Sequence, residues 1–237
     1  MSVSIQTFAE RVLFGTSLED KCFFPQKIQY DVPRKVVSVP DTPSRPSHLQ
    51  FSDERLPFPK HFADDESRAT ALHFFANHEL LAIELMALCI LRFPDAPTQF
   101  QKGLAHIISE EQEHLRLYLR RLEELGGEVG QVPVNGFFWD CLSGMNDPMD
   151  FVVGMSMTFE QANLDHCIHY GRLFQSVGDQ DTVDILNQVY QDEVRHLRHG
   201  LHWFRKWKAP QEADFFRQEK SLNLPMSMMR AKGLSFD

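Results

Sequence analysis

Apolar residues recur at three- and four-residue spacing over four long stretches, about 65–93, 98–125, 148–177 and 180–207, which predicts four helices. The ends of these stretches carry the expected punctuation. Asp147-Pro148 places a side-chain acceptor at an N-cap and a proline in the first turn, while Gly126-Gly127 and Gly178 are suited to C-terminal stops. Pro94-Asp95-Ala96-Pro97 ends the first helix and starts the second. The links within each pair are short, so each pair should form an antiparallel hairpin. The connection between the hairpins, residues 126–147, is longer and contains FFWDCL, which suits a short helix on a crossover. Two helical hairpins joined in this way predict an all-α fold, a four-helix bundle with one long crossover.

The N-terminal quarter reads differently. Seven of the 13 prolines fall between Pro25 and Pro59, and proline holds the chain extended. Residues 1–63 therefore read as a short helix, about Ser4–Phe14, followed by an extended arm that wraps the main body. Its apolar residues include Phe23, Phe24, Val36, Val37 and Phe51. The bundle occupies 64–208, and 209–237 reads as a short helix and a tail.

Each long stripe is broken by a glutamate. Glu79 lies among Leu72, Phe75, Ala76, Ala82, Ile83 and Met86, and Glu111 among Leu104, Ile107, Ile108, Leu115, Tyr118 and Leu122. Glu160 lies among Val153, Met157, Leu164 and Cys167, and Glu193 among Leu186, Val189, Tyr190, Leu197 and Leu201. Side chains three or four apart share a face, so these carboxylates point inward. The second and fourth stretches add a histidine three residues on, His114 and His196. The pattern is an internal repeat. An acid follows at i+5 in the first and third stretches (Glu84, Asp165), and an acid precedes each Glu-x-x-His (Glu110, Asp192). Thirty-two residues separate Glu79 from Glu111 and thirty-three separate Glu160 from Glu193. Equal hairpin arms bring each pair to one height, so six ligand-type residues should converge. Four buried carboxylates require compensation, and two divalent cations supply it. One Glu from each of two helices plus a Glu-x-x-His from each of the other two is a di-iron or di-manganese carboxylate arrangement.

At these residues the sequence resembles the ferritin-like superfamily, with rubrerythrin-like ligand spacing. HELLAIEL, the TFExANLDH segment, DExxH near a WFRKWK, and the RAKG of the tail resemble more closely an uncharacterised family of bacterial proteins with a ferritin-like domain. The resemblance spans roughly 65–208. It implies a di-metal oxidoreductase that activates oxygen or peroxide on two iron or manganese ions. In that scheme Glu111 and Glu193 bridge the ions, Glu79 and Glu160 are terminal carboxylates, and His114 and His196 supply one imidazole each. Six oxygen and nitrogen donors suit iron or manganese better than zinc. Glu84 and Asp165, rotated about 140° from the proposed ligands, are either partners of the histidine ring nitrogens or alternative ligands. Tyr190 and the phenylalanines of the helices read as core.

Composition narrows the partners. Asp plus Glu number 33 against 24 Lys plus Arg, a formal charge of -9, which disfavours nucleic acid and polybasic membrane anchoring. The start, MSVSIQTFAE, has no secretory pattern, and Leu80–Leu91 is interrupted by Glu84 and too short to span a bilayer. Cys22, Cys89, Cys141 and Cys167 form no CxxC pair, which suits free thiols in a reducing cytoplasm. A small-molecule oxidant and a separate electron donor are the expected partners. The oligomeric state is open, with a dimer as one option. Two other functions fit the same ligands. One is iron handling of the ferroxidase type, against which the 63-residue arm argues if a cage is required. The other is hydroxylation of a large substrate such as modified tRNA, using Arg116, Arg120, Arg121, Arg195, Arg198, Arg205, Lys206 and Lys208 as a basic face. Those cations read mostly as solvated helix surface.

Overall fold

The computed structural model describes residues 2–33, 35, 37, 38, 40–54 and 57–208. The expected tail helix and the RAKG motif within 209–237, and Val36 of the arm, lie outside the described residues. The protein is mostly helical, with two three-residue strands among the described residues, and its contacts divide it into two units, Met1–Ser143 and Gly144–Asp237.

The first unit is built on one helical hairpin, α3 (Asp65–Arg92) and α4 (Thr98–Glu124). Asp64 starts α3 by accepting the Ser67 N–H, and Asp65 and Glu66 complement the dipole of its first turn. The chain from Pro94 to Pro97 then turns it back. α4 is amphipathic: Leu104, Ile107, Ile108, Glu111, Leu115, Tyr118 and Leu122 are buried, as the stripe requires. α3 is not. Its residues are buried on nearly every side from Ala69 to Leu91, because the N-terminal helix α1 (Ile5–Phe14) covers a second face with Ile5, Phe8, Ala9, Val12 and Leu13. α3 is long and apolar enough to cross a membrane by length and composition, and 89% of the 18-residue stretch that qualifies is buried inside the protein. The continuous helix, rather than Leu80–Leu91 alone, sets that length.

The arm is less extended than proline content suggests. A short helix α2 (Leu18–Lys21) follows α1, and strand β1 (Ser2–Ser4) pairs in parallel with β2 (Lys27–Gln29), Val3 opposite Ile28. FFWDCL is helical as α5 (Phe137–Leu142); Trp139 is buried and its indole N–H donates to the Asp41 carbonyl at 2.6 Å. All four cysteines are free thiols.

The second unit holds the other hairpin. α6 (Pro148–Phe151) begins with Asp147 accepting the N–H groups of Met149 and Asp150. It passes without a break into a π-helical segment, Val152–Phe159, and then into α7 (Glu160–Ser176). Periodicity along the chain does not report this segment, since every residue from Val152 to Glu160 is buried and no polar face marks the change of pitch. Gly178, with φ of 80°, closes the turn into α8 (Gln180–Trp207). The buried face of α8 runs Thr182, Leu186, Val189, Glu193, His196, Gly200 and Trp203. Leu197 and Leu201, assigned to that face by sequence, are only half-buried.

Candidate metal centre

In the first unit, α3 supplies Glu79 and α4 supplies Glu111 and His114. One ligand atom from each of the three lies within 4.8 Å of the others, and all three side chains are buried. His114 Nδ1 faces Glu111 Oε2 at 3.0 Å. The i, i+3 spacing on a helix produces this pairing, because residues three apart stand one above the other. In the second unit the same motif recurs. Glu160 at the start of α7 and Glu193 with His196 on α8 bring one atom each within 4.8 Å, all buried, with His196 Nδ1 facing Glu193 Oε2 at 3.4 Å. Each unit thus gathers its own three of the six residues singled out by sequence into a triad of two carboxylates and one imidazole.

These separations match those around a single ion. For an octahedral divalent ion with donors at about 2.1 Å, neighbouring donors stand about 3.0 Å apart and opposite ones about 4.2 Å. The 3.0 Å Nδ1–Oε2 distance of the first triad has the first spacing, and the 3.4 Å of the second lies between the two. The donor set, oxygen and nitrogen without thiolate, suits iron or manganese. The buried Glu/His clusters could therefore hold metal.

Several neighbours of the triads are not legible as functional from sequence. Asn163, three residues after Glu160, donates its Nδ2–H to Glu193 Oε1 at 2.8 Å and fixes that carboxylate; the equivalent position in the first unit is Ala82. The nearest sequence signal is its place inside TFEQANLDH. His199, one turn beyond His196, accepts the Trp203 indole N–H at Nε2, 3.0 Å away. Its pKa is pushed down to about 4, first by burial and then by the nearby His196 and His202. His166 is also lowered, chiefly by burial.

Glu84 has a different occupation from either role considered for it. Arg45 approaches its carboxylate through Nη2 at 2.6 Å and Nε at 3.0 Å, and Lys21 Nζ lies 3.0 Å away, all three side chains being buried. Arg45 also donates to Asn77 Oδ1 and the Leu49 carbonyl, and Lys21 to the Val12 and Leu13 carbonyls. This network ties the N-terminal arm to α3. Desolvation lowers the Lys21 pKa, opposed by its attraction to Glu84. Asp165 is buried on α7, two residues from Cys167. Gln112, next to Glu111, faces away from the triad and donates to the Lys21 and Phe23 carbonyls, pinning the arm against α4.

From residue 9 to residue 226 the chain matches the profile of a family described as "Protein of unknown function (DUF455)". An uncharacterised protein of Haemophilus influenzae is 26% identical over 195 residues, which cover 79% of this chain and 64% of that relative. The chain thus spans a little under two thirds of the relative's length. No solved structure matches it. With nearly its whole length covered by one family profile, the chain belongs to the DUF455 family.

Proposed function

We propose that this protein is a di-metal carboxylate oxidoreductase of ferritin-like type, holding two iron or manganese ions, one in each Glu, Glu-x-x-His triad. The observation that carries this reading is the repeated gathering of two buried carboxylates and one imidazole within 4.8 Å, once in each unit. Two buried carboxylates in one triad carry two negative charges, and one divalent ion held by both balances them. The same count holds for Glu160, Glu193 and His196.

When bound, a pair of such ions supplies one-electron redox steps and binds a small oxidant. The protein's own residues do the rest. Glu79 and Glu160 each present one terminal carboxylate from a helix other than the one bearing the Glu-x-x-His. In this reading Glu111 and Glu193 would each hold the ion of their own triad, and Asn163 holds one Glu193 oxygen in place. His114 and His196 offer Nδ1 to the ion, so the ring proton resides on Nε2. Burial of all six side chains excludes water and keeps the donors strong. Electrons then come from a separate donor protein or from the substrate.

The test is elemental analysis of protein purified without chelators, expected to return about two iron or manganese ions per chain. Glu111→Ala and Glu193→Ala should each lower that content by one ion or more. No bound metal, or content unchanged in both variants, would end this reading. Anaerobic Fe2+ loading followed by oxygen should then give a visible absorption change; its absence would remove the oxidoreductase assignment while sparing metal binding.

A further inference from the structure

The π-helical segment Val152–Phe159 ends directly on Glu160, whose backbone N–H donates to the Met155 carbonyl five residues back. Each such bond encloses one residue more than an α-turn, so the ladder slips by one residue, about 100° around the helix axis. The rotational phase of Glu160 relative to the buried segment before it is therefore set by the π pitch. Runs of π-helix are rare because their packing is poor, and one that persists needs something to hold it.

Two contacts hold this one. Thr158 Oγ1 donates to the Val153 carbonyl at 2.8 Å, bridging the widened turn from inside the protein. On α8, Gly200 presents bare backbone to the same turn: a Cβ there would stand 2.3 Å from the Ser156 Cβ. Gly200 follows His196 by one turn on the buried face that also carries Glu193. The close approach at Gly200 thus fixes the π segment against the helix that bears the other two donors of the triad. The first unit contains no such device among the described residues, since Glu79 lies inside the uninterrupted α-helix α3.

We propose that Thr158 and Gly200 are positioning residues that hold the π pitch and so aim the Glu160 carboxylate at the ion site completed by Glu193 and His196. The inference rests on the metal reading above and adds a specific dependence to it. Relaxation of the segment to α-pitch turns Glu160 out of its triad and leaves Glu79, Glu111 and His114 as they were. The two triads respond differently, and the first serves as an internal control.

The experiment titrates the full-length chain with Mn2+ under anaerobic conditions, following bound metal by calorimetry and electron paramagnetic resonance. Wild type should bind two Mn2+. Thr158→Val and Gly200→Ala should each weaken one Mn2+ at least tenfold and leave the other unchanged, with helical content and unfolding midpoint recorded alongside. Thr158→Ser keeps the donor and should bind as wild type. Adding Ser156→Gly to Gly200→Ala removes the clash and should recover the second ion. If Gly200→Ala does not fold, Thr158→Val, which loses only a hydroxyl, decides. Two ions bound at wild-type affinity in the folded variants, or equal weakening of both ions, would overturn the inference. A wild-type chain that binds no Mn2+ or Fe2+ overturns the metal reading itself and this inference with it; failure of the variants alone leaves that reading standing.

Discussion

His73 shows how one contact sets the charge of a buried side chain. It lies on α3, and its Nε2 accepts the Gly130 N–H at 2.9 Å. A protonated ring has no acceptor there, and burial alone pushes its pKa down to about 4. The native pKa lies below the unfolded value of about 6.5. The unfolded chain therefore takes up the proton first, and stability present above pH 6.5 is lost as pH falls towards 4. A tenfold difference in proton affinity between the two states is worth about 1.4 kcal/mol, so up to about 3 kcal/mol is at stake over that window. His73→Gln keeps an acceptor and removes the titration. Urea midpoints measured from pH 7 to pH 4.5 should fall less steeply in this variant than in wild type; equal slopes would show that His73 carries no share of the acid sensitivity. In the sequence, His73 is one of several histidines on a helix without an assigned role, because Gly130 is 57 residues away and periodicity does not report such a partner.

At the scale of elements, α3 carries two buried glutamates that serve different ends. Glu79 faces α4 and its donors, whereas Glu84, five residues on, faces the arm and is met by Lys21 from α2 and Arg45. Read along the chain, buried acids without a neighbouring cation imply compensation by metal. For Glu84 that implication fails, because its cations arrive from 39 and 63 residues upstream. Removing Glu84 leaves two buried cations facing each other, so Glu84→Ala should cost about 3–5 kcal/mol. Denaturant unfolding would show it, and metal content should stay at the wild-type level if Glu84 is not a ligand. A loss below about 1 kcal/mol would mean that water reaches the pair. α7 illustrates the other limit of periodicity. The stripe puts its glutamate on the buried side, as observed, but the π pitch that precedes it leaves no trace in a run where every residue is apolar or small.

At the scale of the whole molecule, bound metal should act as a stabiliser. An ion that binds only the native chain adds RT ln(1 + [L]/Kd), about 2.7 kcal/mol at a hundredfold excess over Kd. Dialysis against a chelator should lower the unfolding midpoint, and added Mn2+ or Fe2+ should restore it. A midpoint indifferent to both would mean that the triads bind no ion in the native state. Much of the architecture that frames these sites is legible along the chain. The four long helices, the cap at Asp147, the turn at Gly178 and the repeat of Glu with Glu-x-x-His follow from local chemistry: side-chain acceptors satisfy free N–H groups, glycine accepts positive φ, and a period of 3.6 puts chosen residues on one face. The sequence by itself determined the helical class, the two hairpins and which six side chains are candidates. Tertiary structure alone decided that Glu84 belongs to a salt-bridge network, that Asn163 and Gly130 are partners at a distance, that α3 is covered on several faces, and that Glu160 follows a π turn packed on Gly200. The physical reason is the same throughout. Hydrogen bonds, ion pairs and steric contacts between distant segments depend on how the chain closes on itself, and that closure leaves no periodic mark along it.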